Sequence, residues 1–338
     1  MKYRGMVKSS TAYDEIDRGL VHALQLDGRL PFSRIAEVLG VSDQTVARRF
    51  ARLRTEGRLR VLATIDPSVL GYVEWIARVQ CKPDGAEKLG RALAMRDDTS
   101  WVNLSSGGTE LNCTTWAPSG EDSHSLLLSR LPRSPGVLSM SAHCVMHVFF
   151  GGARGLTIKS GALDDAQVAA LGAEPGPSAA PRAHDPVVLD EGDRRMLAVL
   201  GRDGRAELAE LAAATGWSQS TVRRRLAQLR ATGAVVLAVV YDHQIFDLST
   251  RVLVWASVAP AELRTAGEAL AAHPEVAFAA ATTGASNLHA VLLCKDLHSL
   301  YTYVTTRLAE LGVRQLETSP IMRPFKGPAT VRMPAPSA

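Results

Sequence analysis

The chain has 338 residues, of which 46% are hydrophobic and 21% are charged. This composition excludes a disordered or fibrous protein, and the length predicts at least two domains. The first ten residues lack the apolar core of a secretion signal, and no run of 18 apolar residues occurs. We therefore expect a cytoplasmic, nucleoid-associated protein. The net charge is only +4, but Arg outnumbers Lys by 31 to 7 and the Arg residues cluster, which is typical of a surface that binds phosphate.

Apolar residues at helical spacing predict a first helix over Tyr13–Leu26. A second helix is expected to begin at a Ser33 cap and to stop at Gly40, which can adopt the left-handed conformation. Ser42 can cap a third helix that stops at Gly57 and buries Val46, Phe50 and Leu53. Three short helices with a tight turn before the third predict a helix-turn-helix.

One internal repeat organises the chain. An offset of 176 residues places Asp27-Gly28-Arg29 on Asp203-Gly204-Arg205 and Arg48-Arg49 on Arg224-Arg225. Residues 173–186, rich in Pro, Ala and Gly, separate the copies and predict a linker. The chain is therefore interpreted as a duplication.

The exposed face of the third helix in each copy carries donors suited to base edges or phosphates. Residues 42–60 hold six Arg against two acids, and residues 218–230 hold four Arg against none. An isolated Arg run is commonly a solvated helix face, but this position favours DNA binding. Flanking Arg residues can instead pair with an acid such as Asp17 or Asp193. The predicted DNA contacts are Ser42, Gln44, Thr45, Arg48, Arg49, Arg52, Ser218, Ser220, Thr221, Arg223, Arg224 and Arg225.

A βαββαβ pattern follows each trihelical unit and predicts a ferredoxin-like sheet with two helices on one face. The first copy has predicted strands over Val73–Cys81, Trp101–Ser106, Glu110–Trp116 and Val137–Phe149, and helices over Asp84–Met95 and Ser123–Leu131. The second copy has predicted strands over Arg251–Val258, Val276–Thr283, Leu288–Cys294 and Val313–Met322, and helices over Ala261–Ala272 and Leu297–Leu311.

The predicted fold class is α+β, with two trihelical or winged helix-turn-helix domains alternating with two ferredoxin-like domains. We call the helix-turn-helix domains the first head (residues 12–62) and the second head (188–238). We call the others the first αβ unit (70–150) and the second αβ unit (248–325), with an extension and linker over 151–187. Each αβ unit has a turn between its second and third strands, called its Gly turn, with the sequence Ser106-Gly107-Gly108-Thr109 in the first unit and Thr283-Gly284-Ala285-Ser286-Asn287 in the second. The N–H groups and hydroxyls of these turns suit a carboxylate or zwitterion. An ordinary hairpin turn is the other interpretation.

A set of motifs runs through the first copy in the order Asp17, Asp27-Gly28-Arg29, Gly40-Val41-Ser42, Arg48-Arg49, Gly57, Asp66-Pro67 and Leu70-Gly71. With the βαββαβ tail, this pattern resembles the Lrp/AsnC (feast/famine) regulators, and the resemblance covers both halves. It implies a fused, sequence-specific transcriptional regulator that binds double-stranded DNA through its third helices and responds to an amino acid or related metabolite. It also implies association as a homodimer or higher homo-oligomer through the αβ units. The effector contacts that it implies are Gly107, Gly108, Thr109, Thr283, Gly284 and Asn287.

Two other functions fit parts of the pattern. Siroheme decarboxylases are similar in architecture and occur as fused pairs, and the histidines His143, His147, His243 and His289 keep this alternative open. An architectural DNA-binding protein without an effector is the second alternative. The sequence has no GxSxG, HExxH or phosphate-loop motif, so we predict no enzyme activity, no cofactor and no metal site.

The duplication has a mechanical consequence. Two unlike αβ units in one chain can pair as an internal pseudo-dimer and place two unlike heads on DNA. Identical subunits read a palindrome because of their symmetry, whereas a fused pair does not have this constraint. We therefore hypothesise an asymmetric operator.

Overall fold

The computed structural model describes residues 13–118, 126–153, 156, 159, 162–172 and 186–328. The first head consists of helices α1 (Glu15–Leu26), α2 (Phe32–Leu39) and α3 (Asp43–Thr55), followed by strand β1 (Leu59–Ile65). The first αβ unit consists of β2 (Tyr72–Cys81), α4 (Pro83–Ala94), β3 (Thr99–Ser105), β4 (Glu110–Pro118) and β5 (Val137–Phe150). A single π-helical turn, Leu126–Arg130, precedes β5, and the start of the predicted helix Ser123–Leu131 lies outside the described residues.

The second half repeats this order after a short helix, α5 (Asp165–Ala170). The second head consists of α6 (Glu191–Leu200), α7 (Leu208–Thr215), α8 (Gln219–Ala231) and strand β6 (Val235–Tyr241). The second αβ unit consists of β7 (Thr250–Ser257), α9 (Leu263–Ala272), β8 (Val276–Thr282), β9 (Leu288–Cys294), α10 (Leu297–Tyr303), β10 (Gln315–Pro320) and β11 (Arg323–Pro324). Within the described ranges, no helix has the length and apolar character needed to cross a bilayer.

The turn between the second and third helices is built alike in both heads. Gly40 and Gly216 end α2 and α7 in the left-handed conformation, with φ of 65° and 76°. Ser42 and Ser218 then cap α3 and α8, and each hydroxyl accepts a hydrogen bond from the amide three residues along. These caps confirm the predicted start of both third helices.

The predicted Ser33 cap of the second helix is wrong. Helix α2 begins two residues before the start that a Ser33 cap implies, at Phe32, and no side chain caps it. Pro31 occupies the cap position with φ of −59°. A proline side chain has no oxygen that can accept a hydrogen bond from the first amides of the helix, so α2 has no side-chain cap.

The two αβ units form one nine-stranded sheet in the order β10-β7-β9-β8-β5-β2-β4-β3-β11. Strand β5 of the first unit pairs antiparallel with β8 of the second. At the opposite edge, β11 follows directly from β10 and pairs with β3. The two edges therefore meet, and the sheet curls into a barrel. This arrangement confirms the hypothesis of an internal pseudo-dimer.

The two faces of the barrel differ in chemistry. Alternate strand residues such as Val79 and Val254 face outward into the apolar cores under α4 and α9. The residues between them face inward and form polar contacts. Arg78 donates to both oxygens of Glu110 at 3.1 and 3.0 Å, and its Nη1 donates to Glu317 of the second unit at 3.0 Å. The inner network therefore ties the two units together.

A two-stranded ribbon joins the heads and was not predicted. Strands β1 and β6 pair antiparallel, with Leu62 opposite Ala238 at the centre. The two strands occupy equivalent positions in the repeat, so the ribbon lies on the pseudo-twofold axis between the heads. Its position makes the two heads one packed body.

The segment after the first αβ unit packs on the first head. The described part of the predicted extension contains one helix, α5, and no strand. The Gln167 amide donates to the Val38 carbonyl at 3.1 Å, and Leu163 is buried against the head. Residues 173–185 of the predicted linker lie outside the described residues.

Candidate functional site

The third helix of the first head presents a polar face to solvent. Val46, Phe50 and Leu53 are buried, which fixes the rotation of α3. Gln44 and Arg48 are exposed on the opposite side. Arg48 forms no ion pair with any residue that the structure describes. Its guanidinium is therefore available to a ligand outside the protein.

Two of the predicted DNA contacts in this head instead form ion pairs with acids at the start of α1. The Asp17 carboxylate is completely buried and pairs with Arg52 at 2.6 Å. Arg49 pairs with Asp14 at 2.8 Å and with Asp17 at 3.4 Å. The hydrogen bond to Asp17 raises the pKa of Arg52. These contacts make Arg49 and Arg52 part of the packing between α1 and α3.

The second head repeats this division. Arg225 donates to both oxygens of the buried Asp193, at 2.8 and 2.7 Å. Arg223, Arg224 and Ser220 are exposed on α8, and neither arginine forms an ion pair among the described residues. The structure therefore brings together two exposed polar faces, each backed by a buried carboxylate–arginine contact.

Paired contacts fix the two faces relative to each other. Arg29 donates to the Gly204 carbonyl at 2.8 Å, and Arg205 donates to the Gly28 carbonyl at 2.7 Å. The ion pairs Arg54–Asp203 and Arg230–Asp27, at 2.8 and 2.9 Å, follow the same symmetry. The repeated Asp-Gly-Arg triplet is thus the contact between the heads. The repeat revealed this triplet but not its role.

The Gly turn of the first αβ unit is open. Gly107 and Gly108 have φ of 68° and 91°, and a Cβ added at either position would have no neighbour within 4 Å. The Thr109 hydroxyl donates to the Ser106 carbonyl at 2.8 Å. This turn has room for a ligand, as the predicted effector contacts require.

The equivalent turn in the second αβ unit is occupied by protein. The His143 ring is 2.8 Å from the Thr283 carbonyl, and the Thr283 hydroxyl accepts from the Cys144 amide at 2.9 Å. The Asn287 side chain bonds to both backbone groups of Val258 at 3.0 Å. A Cβ on Gly284 would lie 2.7 Å from the His143 ring. This turn is therefore part of the contact between the two units.

A cavity of about 790 Å³ lies inside the barrel, next to the segment that follows β1. Its charged lining residues are Asp66, Glu74 and Arg251. None of the six predicted effector residues is among its lining residues. This cavity could not be predicted from the sequence, because its walls come from strands of both units that meet only when the barrel closes.

Comparison with known proteins matches both heads to one family. The AsnC-type helix-turn-helix domain matches residues 14–54 and 189–230, and the Lrp/AsnC ligand-binding domain matches residues 251–331. The regulator LrpA of Pyrococcus abyssi is 29% identical over 126 residues, which are 37% of this chain and 89% of that protein. An uncharacterised helix-turn-helix regulator of Pyrococcus horikoshii, PH0140, is 30% identical over 136 residues, which are 39% of this chain and 85% of that protein.

Among solved structures, the siroheme decarboxylase NirDL is similar over 93% of this chain and 92% of its own, with a TM-score of 0.61 and 15% identity. This likeness shows a shared fold over both modules. The relatives above each match a length of about one of the two modules. The chain belongs to the Lrp/AsnC family of DNA-binding transcriptional regulators with a ligand-binding domain.

Proposed function

We propose that this protein regulates transcription by presenting two unlike recognition helices to one DNA site under the control of a small-molecule effector. The observation that carries the proposal is the pair of exposed polar faces on α3 and α8, held together by the ribbon and the Asp-Gly-Arg contacts. Arginine and glutamine on such a face supply phosphate contacts and base readout.

The predicted DNA contacts divide into two roles. We assign direct contact to the residues whose side chains are turned to solvent or lie at the start of the helix: Ser42, Gln44, Thr45, Arg48, Ser218, Ser220, Thr221, Arg223 and Arg224. Arg49, Arg52 and Arg225 position the helix through their acids, and their exposed edges can add a phosphate contact.

The αβ units are proposed to hold an amino acid or a related metabolite. The open turn at Gly107, Gly108 and Thr109 supports this proposal better than Thr283, Gly284 and Asn287, whose turn already binds the other unit.

Further association of chains through the outer surfaces of the αβ units is also proposed. An architectural protein without an effector would not need the barrel cavity.

Chemistry of the cavity argues against a decarboxylase acting on a tetrapyrrole rich in carboxylates. Two acids and one arginine line the described cavity walls, so the lining does not favour a polyanion. Burial lowers the pKa of His289 to about 3, which keeps this ring neutral. A purified protein with a tetrapyrrole absorbance band would favour the enzyme.

The variants Arg48→Ala and Arg224→Ala test the recognition faces. On a fragment recovered by genome-wide capture, each is expected to weaken binding by about 1–3 kcal/mol if the side chain reads a guanine. If the side chain contacts a phosphate instead, the slope of the logarithm of the binding constant against the logarithm of the salt concentration is expected to fall in magnitude by about one. Fluorescence anisotropy at several salt concentrations measures both. Arg264→Ala, on the exposed face of α9, is the matched control. Unchanged affinity and slope in both variants would remove the assigned faces.

The operator itself tests the unlike heads. Because α3 and α8 expose different residues at equivalent positions, we expect two unlike half-sites in a fixed order. Footprinting of the bound fragment gives the two half-sites. Inverting one of them, or replacing it with a copy of the other, is expected to reduce affinity at least tenfold. A preference for the symmetric fragment would contradict the proposal.

A further inference from the structure

The barrel cavity holds two ionisable side chains, one acidic and one basic, that have no ion-pair or hydrogen-bond partner among the described residues. Glu74 lies on the inner face of β2, two residues from the buried Ile76. Arg251 lies on the inner face of β7, in the other αβ unit. Neither side chain forms an ion pair or hydrogen bond with any residue that the structure describes. Unpaired charges inside a protein are costly, so a site that keeps both is suited to an external partner.

The surroundings of each charge define what it can bind. Glu74 has the Asp66 carboxylate nearby, so this end of the cavity attracts a cation. Arg251 offers a planar set of donors that fits a carboxylate. Since the two groups come from different units, a ligand that binds both would connect the units.

The remaining walls are largely apolar and aromatic. Trp101, Trp116 and Phe278 contribute rings, and Leu253 and Val291 contribute aliphatic surface. The volume of about 790 Å³ lies in the range of cavities that hold drug-sized ligands, roughly 300–1,000 Å³, and is larger than a single amino acid needs.

Trp101 reaches this cavity through an irregular backbone. Its φ is +50°, which is rare for a bulky side chain, and the register of β3 against β4 shifts between Ser100 and Asn103. A bulge of this kind redirects a side chain and is often found beside a binding site. The strain is thus located at the wall of the cavity.

We propose that the barrel cavity binds a zwitterionic metabolite with an aromatic or apolar body, larger than a free amino acid, whose ammonium contacts Glu74 and whose carboxylate contacts Arg251. The inference rests on the proposed function, because it names the ligand of the αβ units and places it away from the Gly turns. Thr64 and Ile65, at the end of β1, and Ser68, in the segment after it, form one wall of the cavity. Ligand in the cavity therefore touches the end of the head ribbon.

A charge-matched series of probes tests this site: the dipeptide Phe-Phe, its N-acetyl form and its C-terminal amide. Isothermal titration calorimetry on the full chain is expected to show the free dipeptide binding about tenfold tighter than either blocked form, since each loses one charged hydrogen bond. Glu74→Gln is expected to remove the preference over the N-acetyl form alone. Arg251→Gln is expected to remove the preference over the amide alone. Glu268→Gln and Arg264→Gln, on exposed α9, are the matched controls.

Equal binding of the three probes by the unmodified protein, or no binding at millimolar concentrations, overturns the proposed site, and this result needs no variant. The site is also overturned if Gly107→Val removes the preference for the free dipeptide and Glu74→Gln does not. That result would place the ligand at the Gly turn. DNA affinity is measured on the same samples without probe. If the dipeptide results fail but the protein still binds DNA through Arg48 and Arg224, the cavity proposal is wrong and the regulator proposal stands.

Discussion

The variant Asp17→Ala is expected to lower the free energy of unfolding by about 3 kcal/mol, the lower end of the cost of removing one partner from a buried ion pair. Asp17 is completely buried, and both Arg49 and Arg52 lie against it. Its carboxylate also accepts from the Asp14 amide in the capping box of α1. The cost stays near the lower end because the two arginines are partly exposed and can rehydrate.

Urea unfolding followed by circular dichroism measures this effect. Asp14→Ala is the matched control: it removes the cap of the same helix and one exposed ion pair, and is expected to cost about 1 kcal/mol. If Asp17→Ala cost no more than this control, the buried contact would not stabilise the head, and Arg49 and Arg52 would return to the set of direct DNA contacts.

Glu74→Gln is expected to stabilise the ligand-free protein at and above pH 7. Burial, with a smaller contribution from Asp66, raises the pKa of Glu74 from 4.5 to about 7. The folded protein therefore holds the Glu74 proton more tightly than the unfolded chain, and the stability of the unmodified protein falls as the pH rises from about 4.5 to about 7. A pKa change from 4.5 to about 7 corresponds to a loss of about 3 kcal/mol in the free energy of unfolding. Water in the cavity solvates the carboxylate and makes this loss smaller.

The expected difference in stability between Glu74→Gln and the unmodified protein is thus near zero below pH 4.5 and complete above about pH 7. Thermal unfolding at a series of pH values measures it. The other titratable or charged residues that line the cavity are Asp66, Tyr72, Cys113, Cys144, His147, Arg251 and His289. Glu268→Gln, on exposed α9, is the control and should run parallel to the unmodified protein. If the stability of Glu74→Gln changed with pH in the same way as that of the unmodified protein, Glu74 would be solvated.

Local patterns predicted most of the secondary structure but not the contact between the heads. Strands β1 and β6 are almost wholly buried, so they lack the alternation that marks a half-exposed strand. Each has as its partner the equivalent strand of the other copy, far along the chain. A Cβ on Gly28 would lie 2.6 Å from the Val61 side chain. The glycine of the repeated triplet is thus needed for close approach, a role that is clear only once the heads are paired.

The candidate sites, too, could be predicted only where the local sequence decides how a residue is placed. The exposed positions of Arg48 and Arg224 follow from helical periodicity alone, so they could be predicted. Whether a flanking arginine faces DNA or an acid on α1 depends on helix packing, and the sequence left both possibilities open. Glu74 and Arg251 were not recognised, because each looks like an ordinary polar residue in an alternating strand. Only the closure of the barrel places them around one cavity.

The pairing of β1 with β6 inside one chain alters how occupancy of a promoter depends on the amount of protein. A regulator assembled from separate subunits loses its paired heads on dilution, so its DNA binding rises steeply with concentration. In this chain the second head is always present at a high effective concentration. Two-headed binding should therefore rise in simple proportion to protein concentration, and a cell holding only a few copies would still have a complete regulator.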